Sequence, residues 1–257
     1  MKRKYVSDKF AFQNVINLIS LLVMKNAILT VLLFLLSILN AQAQTLKWEG
    51  REFEIAAVNA SIVQLEGEEV LKVERDLKAL PFDLENLATT VDEPTYVKVK
   101  NLDIENGIFE VKMLSRIQIP TPFKGAHGFI GVAFRAKEDN SAFESIYLRP
   151  NVGRSEDQFA RNHTVQYYAY PDYKFDKLRN PEYKGQYETY ADVGLDEWIT
   201  MRVEFKGKEA KLFLNDHEYP SFIVNEMKGN SKSGSIALWV DIATEGYFKD
   251  FKIIKIE

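Results

Sequence analysis

The chain contains no cysteine among its 257 residues. Disulfide bridges, thiolate metal sites and a cysteine nucleophile are therefore excluded. A lipid anchor of the bacterial lipoprotein type is excluded too, because it needs a cysteine at the cleavage point. Histidine is scarce, and no two of the three histidines have the spacing of a metal-binding pair. The sequence predicts no metal site and no cofactor.

Long hydrophobic runs are also lacking. The apolar run at residues 28–39 is shorter than the roughly 20 residues of a membrane-spanning helix. Lys25 precedes this run and Ala41-Gln42-Ala43 follows it, which is typical of a secretory signal peptide. We therefore expect residues 1–43 to be a signal peptide, with Met24 as an alternative start, and residues 44–257 to be the mature domain. The competing interpretation is an uncleaved anchor, but Lys25 would make it costly.

This N-terminal pattern predicts a bacterial protein that is periplasmic or secreted and meets the membrane only during export. The chain carries 33 basic and 37 acidic residues, and five of the basic ones lie in residues 1–43. The mature part is therefore acidic, which makes it a poor binder of nucleic acid, since phosphate contacts need clustered positive charge. We expect a monomer.

Short runs of alternating apolar and polar residues, separated by turn residues, recur along the mature part. No window predicts a three-turn amphipathic helix; the nearest, residues 76–87, is interrupted by Pro81. The pattern predicts an all-β domain of two antiparallel sheets packed face to face. Expected strands include residues 63–65, 70–73, 96–100, 108–113, 129–135, 143–149, 164–170, 198–205, 210–214, 235–240 and 247–256. Glu66-Gly67-Glu68 predicts a hairpin between the first two.

Four segments carry a family resemblance. Residues 198–205 with 211–215 form a Trp-led hairpin, residues 234–239 read G-S-I-A-L-W, residues 246–253 read G-Y-F-K-D-F-K-I, and residues 107–111 read G-I-F-E-V. In this order they resemble the concanavalin A-like lectin/glucanase superfamily, in its laminin-G-like branch. The resemblance implies a jelly-roll sandwich with a concave face that often meets carbohydrate.

Catalytic motifs of that superfamily are incomplete here. Family 16 glycoside hydrolases place two carboxylates on one strand face, but residues 101–105 read N-L-D-I-E, with Asn101 at the nucleophile position. We expect this segment to be a turn. The 3-keto-disaccharide hydrolase-like branch has an early strand that reads G-Y-E-x-Q. Residues 143–147 read F-E-S-I-Y, which is similar at Glu144 but lacks the Gln.

Tyrosine is concentrated: eight of the twelve tyrosines lie between Tyr147 and Tyr190. Because side chains alternate along a strand, the residues beside the predicted core positions should share an open face. Aromatic rings there could stack on sugars, and polar groups could bind hydroxyls. The predicted ligand residues are Tyr147, Arg149, Arg154, Gln166, Tyr168, Trp239 and Asp241.

Alternatives remain open at this stage. In one alternative the aromatic residues pack under residues 171–190 as a second small core. In another, an ion-pair network is formed by Arg149, Arg154, Asp157 and Arg161. Glu144 and His163 are the weak catalytic candidates. The leading interpretation is an exported domain that binds a saccharide or polysaccharide. The others are a glycoside-cleaving enzyme with an unconventional site around Glu144, Arg149 and His163, and a structural or protein-binding envelope module.

Overall fold

A computed structural model describes residues 21–26, 28 and 44–255 of the chain. Residues Gln44–Glu257 form one compact unit, and Met1–Ala43 form another. The predicted signal peptide lies mostly outside the described residues, so its cleavage stays a prediction. Within the described part, no helix is long and apolar enough to cross a membrane.

One layer of the compact unit is an eight-stranded antiparallel sheet. In spatial order it consists of β1 (Thr45–Trp48), β2 (Arg51–Ala56), β5 (Tyr96–Val99), β14 (Ser235–Val240), β7 (Ile130–Ala136), β8 (Phe143–Leu148), β9 (Val165–Tyr170) and β10 (Glu188–Thr189).

The second layer is a seven-stranded antiparallel sheet. In spatial order it consists of β13 (Phe222–Val224), β12 (Glu209–Leu214), β11 (Ile199–Lys206), β6 (Gly107–Ile117), β15 (Thr244–Lys255), β4 (Glu68–Arg75) and β3 (Val58–Leu65). The two layers confirm the predicted all-β jelly-roll sandwich.

Helical structure between residues 44 and 255 is confined to short connecting turns. The α-helices are α1 (Leu87–Thr90), α2 (Gln158–Arg161) and α3 (Phe175–Leu178), each four residues long. Two 3-10 turns span Pro150–Val152 and Pro181–Tyr183. α1 lies in the connection between β4 and β5, and the other four pieces lie in the connections between β8, β9 and β10.

The main core lies between the sheets, where alternate residues of each strand meet. Phe134 of β7 packs against Phe205 of β11 with ring centroids 4.8 Å apart, and Phe109 of β6 lies 6.2 Å from Phe205. Along β11 the residues on the same face as Phe205 are buried, whereas those on the other face are partly or fully exposed. The alternation predicted for the strand at residues 198–205 is confirmed.

Several local predictions can be compared directly. Glu66 and Gly67 connect β3 and β4 with positive φ angles of 54° and 85°, which confirms the predicted hairpin. Asn101 lies in a turn after β5 with φ 56°, as expected for the interrupted glycosidase-like motif. Apolar and charged residues alternate along β5, yet the Lys98 side chain is buried, and its ammonium donates to the carbonyl oxygens of Lys137 and Glu138.

Candidate functional site

A cavity of about 340 Å³ opens at one end of the eight-stranded sheet. It lies where β8 and β14 end and where β7 and β9 begin, and α2, α3 and the residues before β5 surround it. We call it the end cavity. Its aromatic lining residues are Phe123, Phe129, Tyr147, Phe159 and Phe175, and its polar ones are Asp92, His127, Arg149, His163, Arg179 and Asp241.

The floor is built on the sheet face that points away from the main core. Register pairs Trp239 with Gly131, and Gly131 with Tyr147, so these three residues form one row across β14, β7 and β8. Glycine in the middle of the row leaves space above the sheet, and the rings of Tyr147 and Trp239 approach to 4.9 Å. A Cβ at position 131 would collide with the backbone of β8. The missing side chain therefore allows the aromatic pair to form.

Arg149 holds the end of β8 to the start of β9. Its guanidinium donates hydrogen bonds to the Tyr147 hydroxyl at 2.5 Å and to the His163 carbonyl oxygen at 2.6 Å. It also lies over the Tyr147 ring, 4.8 Å from the centroid. Because this side chain is buried and held from several directions, its position in the cavity is fixed before any ligand arrives.

Glu188 of β10 balances the positive charge on this side of the cavity. Its carboxylate lies 2.6 Å from the Arg179 guanidinium, 3.8 Å from that of Arg149, and 3.7 Å from the His163 imidazole. Glu188 reaches this position because β10 pairs with β9 opposite Gln166. Two arginines thus share one carboxylate.

Asp92 and Asp241 form a buried acidic pair on the other side. Asp241 is in a 2.5 Å salt bridge with Arg75, and it accepts a hydrogen bond from the Asp92 backbone N–H at 2.9 Å. Asp92 accepts one from the Phe175 N–H at 2.8 Å. Burial raises the pKa of Asp92 from 3.8 to about 7, and burial also raises the pKa of Asp241, which the Arg75 charge opposes.

His127 and His163 lie on the cavity wall and are half-buried. Burial lowers the pKa of both imidazoles, so both are mainly neutral at pH 7. Within residues 44–255, the Nδ1 atoms of these two residues have no hydrogen-bond partner. Both atoms are buried from solvent, and the His163 Nδ1 lies on the side of Glu188, so a ligand in the cavity would meet other parts of these two rings.

The predicted aromatic residues lie on one face of the sheet, but this face is not exposed to solvent. Tyr147, Tyr168 and Trp239 contact one another through their rings, and each is at most 2% exposed. Residues before β5 cover them: the indole N–H of Trp239 donates to the Glu93 carbonyl oxygen at 2.8 Å. The expectation of an exposed aromatic platform is wrong, and the alternative of a second small core describes these three rings.

The other predicted ligand residues lie in different surroundings, some in the end cavity and some outside it. Arg149 and Asp241 line the end cavity together with Tyr147. Gln166 is buried, and its amide donates to the carbonyl oxygens of Tyr167 and Tyr187. Arg154 is 57% exposed and pairs with Asp192 and Glu197 outside the cavity. The predicted alternative of an ion-pair network with Asp157 is wrong, because the Asp157 carboxylate accepts from the Phe159 N–H instead.

The two catalytic candidates do not meet. Glu144 pairs in register with Phe134, so it faces the main core, whereas the cavity lies on the opposite side of the sheet. Its carboxylate accepts a hydrogen bond from the Tyr167 hydroxyl, and burial raises its pKa to about 7. His163 does line the cavity. The predicted alternative of an enzyme site that combines Glu144 with Arg149 and His163 is therefore wrong, because Glu144 lies on the opposite face of the sheet from the cavity.

Several cavity residues were not predicted from the sequence. Asp92, His127, Phe159 and Phe175 lie in connections, where no strand period indicates direction. Only Phe159 carried a usable signal, because it is an aromatic residue within a short polar connection, and it is 70% exposed. No group of three or more His, Asp or Glu side chains suited to a metal ion occurs among the described residues.

A second cavity of about 480 Å³ lies at the other end of the same sheet. Lys98 lies there with its ammonium already bound by the Lys137 and Glu138 carbonyl oxygens and the Asn140 side chain. The lining contains no aromatic ring. Its polar groups stabilise the adjoining loop, which leaves the end cavity as the better candidate site.

Comparison with known proteins gives structural likenesses only. No family model matches the chain, and no curated protein matches it. Among solved structures it is similar to the carbohydrate binding module CBM66 from Bacillus subtilis, with 9% sequence identity, a TM-score of 0.47, and coverage of 78% of this chain and 97% of that one.

Two further structures show the range of the likeness. A beta-glucanase from Bacillus licheniformis has 10% identity and a TM-score of 0.41, with 83% of this chain and 92% of that one covered. The VIP36 exoplasmic/lumenal domain in its Ca2+/Man3GlcNAc-bound form has 11% identity and a TM-score of 0.38, with coverage of 78% and 83%. At these values the function has to be argued from the residues of the end cavity.

Proposed function

We propose that this chain is an exported carbohydrate-binding domain and that the end cavity holds a sugar unit of its saccharide or polysaccharide ligand. The observation that carries the proposal is the combination, in one cavity, of aromatic rings with the Arg149 guanidinium and the imidazoles of His127 and His163. Sugars present both C–H surfaces and hydroxyls, so they need both kinds of contact. The size, about 340 Å³, is within the roughly 300–1,000 Å³ of small-ligand sites.

Apolar contacts come from rings at different depths. The Phe129 ring lies edge-on to Tyr147 at 6.3 Å, and the Phe159 ring packs against His163 at 4.4 Å near the mouth. A sugar between them would place its C–H face against a ring while its hydroxyls pointed elsewhere. This arrangement supports binding of a ring-shaped ligand with one apolar face.

Directional contacts come from groups whose positions are already fixed. Arg149 is held by Tyr147 and the His163 backbone, and Asp92 is held by the Phe175 N–H. Preorganised polar groups lose little freedom when a ligand binds, so their hydrogen bonds contribute more to affinity. The export part of the proposal is supported by the signal-peptide pattern of residues 1–43.

A cavity-filling variant tests the proposal on a printed array of neutral and acidic oligosaccharides. Ala160 of α2 lines the cavity, so Ala160→Phe should fill it and lower binding of every bound glycan at least about tenfold. Gln158 lies on the same helix, is exposed and does not line the cavity. Gln158→Phe is therefore the matched control and should bind like the parent.

Two results would contradict the proposal. If Ala160→Phe binds glycans as well as the parent does, the saccharide site lies elsewhere. If the parent protein binds no saccharide on the array, carbohydrate binding itself is rejected. Thermal unfolding of both variants shows whether a loss of binding reflects a loss of fold.

A further inference from the structure

The walls of the end cavity are more apolar than a plain sugar requires. A separate hydrophobic cluster of Val91, Ala126, Ile242 and Ala243 lies beside it, away from the main core. The rings that pack on this cluster include Phe123, Phe129 and Phe175, which also line the cavity. One wall of the cavity is therefore a continuous apolar surface.

This apolar surface continues to the mouth. Phe159 of α2 is 70% exposed there, and its ring is positioned by contact with the His163 imidazole. Leaving a phenyl ring in water costs roughly 25 cal/mol for each Å² of apolar area. A ligand that covered Phe159 would recover this cost, and a bare sugar hydroxyl would not.

The charges around the cavity balance when Asp92 is ionised. The guanidiniums of Arg75, Arg149 and Arg179 are then matched by the carboxylates of Asp92, Glu188 and Asp241. The two lining histidines are mainly neutral at pH 7, because burial lowers the pKa of each imidazole. An acidic ligand would find no cation without a partner among these residues, so burying its charge would be costly.

The geometry points to a neutral glycoside that carries an apolar substituent, such as an aryl or acyl group, as the ligand of the end cavity. The inference rests on the proposed carbohydrate-binding function and narrows it. The sugar hydroxyls meet the Arg149 guanidinium and the imidazole rings of His127 and His163. The substituent lies along the apolar wall and reaches Phe159 at the mouth.

Titration calorimetry with matched probes tests this assignment. For each of glucose, galactose, mannose, N-acetylglucosamine and xylose, the methyl glycoside is compared with the 4-nitrophenyl glycoside. 4-Nitrophenyl glucuronide tests charge, and 4-nitrophenol tests the substituent alone. We expect one 4-nitrophenyl glycoside to bind at least about tenfold more tightly than its methyl counterpart, than the glucuronide and than 4-nitrophenol.

Phe159→Ala separates the two parts of the ligand. It should lower the affinity for the 4-nitrophenyl glycoside at least about fivefold more than it lowers the affinity for the methyl glycoside. Tyr219 is similarly exposed, at 75%, and does not line the cavity. Tyr219→Ala is the control and should bind both probes like the parent.

The outcomes distinguish the inference from the function on which it rests. Equal affinity for methyl and 4-nitrophenyl glycosides, or a preference for the glucuronide, overturns the inference and leaves carbohydrate binding intact. Binding of 4-nitrophenol as tight as that of every glycoside overturns both, because the sugar then contributes nothing. Absence of binding across the whole panel overturns both as well.

Discussion

Replacing Glu144 with glutamine should remove a large pH dependence of stability. The Glu144 carboxyl is fully buried at the edge of the main core. Burial raises its pKa from 4.5 to about 7, although the Tyr167 hydroxyl, the Arg135 charge and the Gly229 N–H all favour the carboxylate. The folded protein therefore holds the proton more tightly than the unfolded chain does.

The sign follows from this difference. Below about pH 4.5 the carboxyl is protonated in both states, and its contribution to stability is fully present. Between pH 4.5 and about 7 the unfolded chain loses the proton first, so stability falls as pH rises. Above pH 7 the whole difference, about 3 kcal/mol, is lost from the free energy of unfolding.

Glutamine has nearly the same shape but does not ionise. Its carbonyl oxygen can still accept from the Tyr167 hydroxyl. Between pH 5 and pH 8 the stability of Glu144→Gln relative to the parent should rise by about 2–3 kcal/mol. Comparing the two proteins removes the effect of Asp92, whose pKa is also raised to about 7 and which is present in both.

Urea unfolding followed by tryptophan fluorescence from pH 5 to pH 8 measures this difference. The exposed Glu209 at the start of β12 provides a control, and Glu209→Gln should follow the parent at every pH. If the difference between Glu144→Gln and the parent changes by less than about 0.5 kcal/mol over this range, burial does not control the titration of Glu144.

Three further predictions concern the fold and export. Phe205→Ala and Trp239→Ala should each cost about 3–5 kcal/mol in chemical denaturation, because both rings are buried, and a loss below about 1 kcal/mol would contradict the packing described. Arg75→Met should cost about 3–5 kcal/mol because it leaves the Asp241 carboxylate buried and unpaired, and adding Asp241→Asn should restore part of the loss; no recovery would show that the pair is not the cause. N-terminal sequencing of exported protein should begin at or next to Gln44, and recovery of the intact N-terminus from membranes would refute cleavage.

Much of the sandwich could be predicted from local patterns. Alternation along β11 and the Glu66-Gly67 turn identified a strand and a hairpin, because both depend on neighbouring residues only. The strands β1 and β2, Thr45–Trp48 and Arg51–Ala56, were missed because they are short and rich in charge. The burial of Lys98 depends on carbonyl oxygens from a loop about 40 residues away, which no local pattern indicates.

The candidate site was only half predictable for a similar reason. Strand parity correctly grouped Tyr147, Tyr168 and Trp239 on one face. Whether that face meets solvent depends on which distant segments fold over it, and no local period contains this information. Asp92 lies in one such segment, and its carboxylate accepts a hydrogen bond from the Phe175 N–H of another. The end cavity is thus formed by connections rather than by strands alone.

Histidine NMR during titration with the tightest-binding 4-nitrophenyl glycoside tests the central claim most directly. The chain has three histidines, of which His127 and His163 line the end cavity and His217 is exposed elsewhere. Single His→Gln variants assign the three ring signals. Saturating ligand should shift the His127 and His163 signals and leave the His217 signal unchanged. Saturation that leaves the His127 and His163 signals unchanged would contradict a saccharide site in the end cavity.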